Sequence, residues 1–187
     1  MSIGLGHIWD SEEVGCENDW KNLLKARIQA REEKEWLEEM AQLPKLRTYR
    51  KLKLVLKKED YLTTILDREE RRRMTALRGG THPLRVETGR WRGELLEHRT
   101  CTFCAKGEIE DEAHVLLCCS TYERERSELY NMLYRSVQSS DRELALKLLL
   151  AGGCLQRRKR LFVQSEVAKF VAAMFRKRTR LLERIQL

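Results

Sequence analysis

Residues 101–119 read C-T-F-C-A-K-G-E-I-E-D-E-A-H-V-L-L-C-C, from Cys101 to Cys119. Four side chains in this stretch can bind one metal ion. Cys101 and Cys104 form a C-x2-C pair, His114 follows ten residues after Cys104, and Cys118 and Cys119 both offer a fourth ligand. Thiolates and imidazole suit Zn2+, which takes four N or S ligands in a tetrahedron at structural sites. A two-residue gap lets one tight turn aim both sulfurs at the same point. Lys106-Gly107 lies just past that turn, where a glycine relieves the backbone as it leaves. The competing account is a set of small buried thiols with a surface histidine; the spacing favours the metal.

The fourth ligand depends on where a helix ends. The acidic run Glu108 to Glu112 reads as a helix start leading into Ala113-His114-Val115-Leu116-Leu117. In a helix that continues, His114 and Cys118 share a face and Cys119 is turned a further ~100° away. If the helix ends near Leu117, Cys119 can swing back to the metal. Ser120, read as the next N-cap, argues for an end at Leu117.

The pattern C-x2-C, E-D-E-x-H-x-L-L-x-C and x-x-Tyr-x-x-x-Arg resembles the zinc-binding segment near the C-terminus of LINE-type (non-LTR) retrotransposon reverse transcriptases. The preceding L-R-G-G-T-H-P-L-R-V-E-T-G-R-W, from Leu77 to Trp91, resembles what comes before the knuckle in animal elements of that kind. The resemblance is strongest from about Leu77 to Tyr122. It implies a C-C-H-C set of Cys101, Cys104, His114 and Cys119, with Cys118 a non-ligand. It further implies a C-terminal piece of such an enzyme, without its polymerase or endonuclease parts, in a region that grips RNA or DNA.

At 187 residues the chain fits one domain with a small metal subdomain. Its 42% hydrophobic and 35% charged content suits a soluble folded protein. The two prolines leave room for long helices. No apolar run reaches the length of a membrane span and no signal peptide is evident, so a nuclear or cytoplasmic protein is expected. A reducing compartment favours metal over disulfides at the cysteines.

Charge is unevenly distributed. Residues 41–99 hold 16 basic and 8 acidic side chains, and residues 154–187 hold 10 and 2, against a net charge of +8. Positive charge therefore flanks the knuckle on both sides, as in a polyanion-binding protein. Basic side chains on long helices can also simply solvate them.

Three regions are expected: residues 1–99, helical with a basic segment; 100–120, the knuckle; and 121–187, C-terminal helices packing on the first region. The opening segment, with His7, Ile8 and Trp9, reads as extended. Asn18 or Asp19 can cap a helix to about Met40 whose stripe includes Trp20, Leu24, Ile28 and Trp36, with both tryptophans as core packing. Pro44 breaks the chain before a basic segment near Leu46 to Leu56 that reads as a short helix, with a strand as the alternative. A further helix runs from Asp60 through Leu77 to Gly79-Gly80. Thr81 caps a short helix ending at Gly89.

After the knuckle, Ser120 to Glu123 reads as a capping box, followed by a helix with Tyr122, Leu129, Met132, Leu133 and Val137 on its apolar side. A nearly apolar helix, Leu144 to Ala151, ends at Gly152-Gly153. The last helix begins near Leu155, with Val163, Val167, Phe170, Val171, Met174 and Phe175 in its stripe. Cys16 and Cys154 lack partners at metal spacing.

Candidate nucleic-acid contacts are Arg78, Arg85, Arg90 and Arg92 beside Trp91, with Arg157, Arg158 and Arg160 as a second patch. Guanidinium groups next to an aromatic plane suit phosphate and unpaired bases. Alternatively Trp91 covers the metal site and the arginines pair with Glu87, Glu94 and Glu97.

No aspartate pair in a polymerase setting, P-loop or Ser-His-Asp arrangement is evident, and a zinc ion with four protein ligands keeps no position for a reactive water. The expectation is a non-enzymatic, mostly α-helical bundle with an embedded C-C-H-C zinc knuckle. Its expected partner is RNA or DNA, with no membrane and no small-molecule substrate. A protein-interaction scaffold stapled by zinc, and a non-functional retroelement remnant, are the alternatives.

Overall fold

A computed structural model describes residues 16–133, 141–153 and 155–185. Among them are nine α-helices: α1 (Glu17–Gln42), α2 (Tyr49–Leu52), α3 (Tyr61–Thr64), α4 (Arg68–Arg78), α5 (Arg85–Trp91), α6 (Glu112–Leu117), α7 (Glu123–Leu133), α8 (Arg142–Ala151) and α9 (Arg157–Ile185). Three short 3-10 turns and one isolated antiparallel bridge, Thr100 to Ile109, account for the other regular structure described. The class is mostly α, as the hydrophobic periodicity predicts. His7, Ile8, Trp9, Val137 and Cys154 lie outside the described residues.

The fold is built around α9. Val163, Val167, Phe170, Val171, Met174 and Phe175 recur at helical spacing and are all buried. They meet Met74 and Leu77 of α4, Leu129 and Leu133 of α7, and Leu149 and Leu150 of α8 in one continuous core. Each buried leucine contributes roughly 1.5–3 kcal/mol through removal of apolar surface from water. Cys101 and Cys119 belong to the same core, so the loop that carries the cysteines is attached to it. No helix among the described residues is long and apolar enough to cross a membrane.

Several boundaries differ from the sequence reading. The helix expected from Asp60 to Leu77 is two helices, α3 and α4, because the Asp67 carboxylate accepts from the Glu70 N–H at 2.8 Å and starts a new helix. Asp67-x-x-Glu70 is a capping signal that the longer apolar pattern obscures. Leu84, not Thr81, precedes α5, and α5 runs through Gly89 to Trp91. Gly89 serves packing: a Cβ there would lie 2.6 Å from the Arg99 side chain. Ser120 is not an N-cap but opens a 3-10 turn that leads into α7.

The long first helix forms, but its stripe is not core. Of its residues only Met40 is buried. Trp20, Leu24, Ile28 and Trp36 are half-buried, and Leu23 and Leu37 remain 36% and 37% exposed. Its main packing is against Pro44–Leu46 and α2, at its C-terminal end. The tryptophans are therefore partly covered surface residues, because few elements lie against the rest of the helix.

Candidate metal centre

The loop that carries the cysteines is closed by backbone pairing. Cys101 N–H donates to Glu108 O at 2.8 Å and Glu110 N–H donates to Arg99 O at 2.9 Å. Gly107 adopts φ +65°, the left-handed conformation the turn needs. Glu108 to Glu110 are thus extended and do not open a helix. The helix begins at Glu112, with the Asp111 carboxylate accepting from His114 N–H at 2.7 Å. It ends at Leu117, where both Cys118 N–H and Cys119 N–H donate to His114 O, at 3.0 and 2.8 Å. That double contact tightens the chain and turns Cys119 back toward the loop.

The result is a cluster of four donors. Cys101, Cys104, His114 and Cys119 place their ligand atoms within 4.8 Å of one another. Cys101 Sγ and Cys119 Sγ are 3.9 Å apart, and Cys104 Sγ lies 3.4 Å from His114 Nε2. A tetrahedral ion with ~2.3 Å metal–sulfur bonds requires sulfur–sulfur edges of roughly 3.8 Å. The donor set and these edges fit a metal ion with four protein ligands.

Cys118 lies on the other edge of the imidazole. Its Sγ is 3.5 Å from His114 Nδ1 and donates to Glu108 Oε2 at 3.3 Å. Glu108 also lies 3.2 Å from His114 Nδ1 and accepts from Arg142 at 2.9 Å. A carboxylate on Nδ1 orients the ring and leaves Nε2 for a metal. Hydrogen bonds from Cys118, His114 and Arg142 hold the Glu108 carboxyl down at about 2. Burial would lower His114, but contacts with Cys119 and Glu108 outweigh it and hold the imidazole at about 9. The hydrogen bond between Cys101 and Cys119 pulls Cys119 down and pushes Cys101 up.

Around the donors, charged groups tie the loop to the helices. Arg126 donates to Cys119 O at 2.6 Å, and Thr121 donates to Phe103 O at 2.7 Å. Arg178 of α9 pairs with buried Glu110, donates to Pro83 O at 3.0 Å and stacks 4.7 Å from the Phe103 ring centroid. Glu112 lies 2.8 Å from His82 Nε2 and also pairs with Arg47. The acidic run is thus divided: Glu108 supports His114, Glu110 holds α9 and Glu112 holds Arg47. No sequence spacing marks these roles, since their partners lie 6 to 68 residues away.

The candidate nucleic-acid residues are placed differently. Arg78 is 1% exposed, donates to Leu150 O at 2.7 Å and to Glu59 at 3.0 Å, and lies over the Tyr61 ring. It is a core residue and not an accessible phosphate contact, because its guanidinium satisfies a C-terminal carbonyl of α8. Arg85 makes two hydrogen bonds to Glu94, at 3.1 and 2.7 Å, and Arg90 two to Glu87, at 2.9 and 2.6 Å. Arg92 is exposed, 3.9 Å from Glu94. Trp91 is 59% exposed. Arg157 and Arg160 share Asp60, at 3.6 and 3.0 Å, while Arg158 is exposed. No family model, curated protein or solved structure matches the chain.

Proposed function

We propose that Cys101, Cys104, His114 and Cys119 hold one zinc ion as a structural staple, and that the stapled helical module binds nucleic acid without catalysing a reaction. The observation that carries the first part is the largely buried donor set of three sulfurs and one nitrogen, with edges near those of a zinc tetrahedron. Four protein ligands leave no place for a reactive water, so the ion's contribution is to folding. The net charge of +8, concentrated in residues 41–99 and 154–187, supports a polyanionic partner. The resemblance of Leu77–Tyr122 to a retroelement reverse-transcriptase segment points the same way.

The test is elemental analysis of purified protein, followed by RNA and DNA binding across salt. One zinc per chain is expected, with binding that weakens steeply as salt rises. Metal-free protein with an unchanged melting curve in excess chelator would overturn the staple. Salt-insensitive or absent binding would overturn the nucleic-acid reading.

A protein-interaction scaffold is the second reading. The exposed apolar side chains of α1 and of the segment after α2, among them Leu23, Leu37, Leu54 and Val55, favour it.

A further inference from the structure

The arginines before the knuckle are largely committed to carboxylates, but another cationic surface is not. A groove of about 430 Å³ runs between α7 and α9. Arg124, Arg176, Lys177, Arg180 and Arg184 line it, with Glu125 as its single acidic residue. Lys177 holds both Glu125 oxygens, at 2.9 and 3.0 Å. Arg124 faces Glu128 only at 3.7 Å, on the surface. Among the described residues Arg176, Arg180 and Arg184 make no ion pair, and all three are exposed. Glu70 stands near Arg176 without pairing with it.

Positions 176, 180 and 184 follow one another at four-residue steps on α9. Such a row presents one guanidinium every ~6 Å along one face. Arginine presents a fork of donors that matches phosphate oxygens in pairs. The apolar lining is limited to Ala173 and Leu181, with no aromatic side chain. A protein partner would need a buried aromatic or aliphatic anchor, and a lipid surface would need exposed apolar side chains to enter it. A chain of phosphates needs neither.

We infer that the α7–α9 groove is where this chain takes a single-stranded nucleic-acid backbone, with Arg176, Arg180 and Arg184 on successive phosphates. The inference rests on the proposed nucleic-acid reading and gives it a face. Contact of this kind positions the strand and carries little sequence information.

The experiment uses the full zinc-loaded chain and a fluorescent single-stranded RNA of mixed sequence. Wild type is compared with R176Q/R180Q/R184Q and with R85Q/R90Q/R92Q, which loses the same charge before the knuckle. Three lost phosphate contacts should flatten the salt slope by about 2 units. At low salt, affinity should fall roughly tenfold or more. The R85Q/R90Q/R92Q variant should keep most of the slope. As a readout independent of variants, photo-crosslinking 4-thiouridine RNA to wild type should label peptides spanning 173–184.

If wild type binds RNA but the groove variant keeps its slope, or crosslinks map elsewhere, the groove is overturned and the nucleic-acid reading stands. If wild type binds neither RNA nor single-stranded DNA, the groove is overturned; if it binds no double-stranded DNA either, the nucleic-acid reading falls with it. If poly-glutamate of equal charge displaces RNA at equal concentration, the groove is a site for acidic protein, and the inference is overturned.

Discussion

Adjacent cysteines with opposite surroundings are the sharpest feature at the scale of single residues. Cys119 faces Cys101 at 3.9 Å, whereas Cys118 faces the Glu108 carboxylate at 3.3 Å. Cys119→Ser is expected to abolish stoichiometric zinc, while Cys118→Ser retains it, as read by elemental analysis after dialysis. Equal retention by both variants would show that His114 and the C-x2-C pair suffice. Glu108 supplies a second test. Glu108→Gln should weaken zinc affinity by about 10- to 100-fold in a chelator competition, because the carboxylate that orients His114 is lost. The half-exposed position of Glu108 means the fold itself should survive. The grouping of the four candidate donors was legible in the sequence, and so was the end of the helix at Leu117. The support from Glu108, Arg126 and Arg142 was not, because long-range hydrogen bonds leave no periodic trace.

Helices were legible wherever apolar residues recur over several turns, as in α9, and less so where a polar side chain interrupts the pattern. Asp67 divides one expected helix into two, and Asp111 delays another until Glu112. Burial was harder to read than helicity. The stripe of α1 is weaker than that of α9, with charged Arg31 and Glu32 at the step between Ile28 and Trp36, and only Met40 is buried; a helix pattern does not say whether a neighbour exists to cover it. Arg78 shows the converse, a charged side chain at the end of α4 that the core encloses. Arg78→Met should destabilise the protein by about 3–5 kcal/mol in denaturant unfolding, the range for breaking a buried ion pair. Glu59 retains Lys53 at 2.6 Å, which places the expectation at the lower end. Nucleic-acid affinity per folded molecule should not change. A selective loss of affinity with stability intact would contradict the core assignment.

For the whole molecule, the cysteine-bearing loop and the helices share one core, with Cys101 and Cys119 packed among residues of α4, α7 and α9. Chelation is therefore expected to lower the melting temperature of the entire chain in a single transition, not to melt a detachable knuckle. Structural zinc supplies on the order of 10 kcal/mol in isolated zinc peptides. Calorimetry with and without chelator measures the effect; two separate transitions would show an independent subdomain. The charge distribution along the sequence pointed to a polyanion, but not to a face. In the structure Glu87, Glu94 and Asp60 engage most of the arginines first singled out.

Arg178 has a wider consequence. It lies on α9 between Arg176 and Arg180, yet turns inward to Glu110 and Phe103 in the metal loop. One helix therefore braces the candidate metal centre on one side and carries the row of unpaired guanidinium groups on the other. If zinc steadies that helix, it raises affinity for the polyanion by some factor, and thermodynamic reciprocity requires the polyanion to raise zinc affinity by the same factor. Ion and strand would then act as effectors of one another. The rate at which a chelator strips zinc should fall when RNA is present, and the R176Q/R180Q/R184Q variant should lose that protection while keeping its metal in RNA-free buffer.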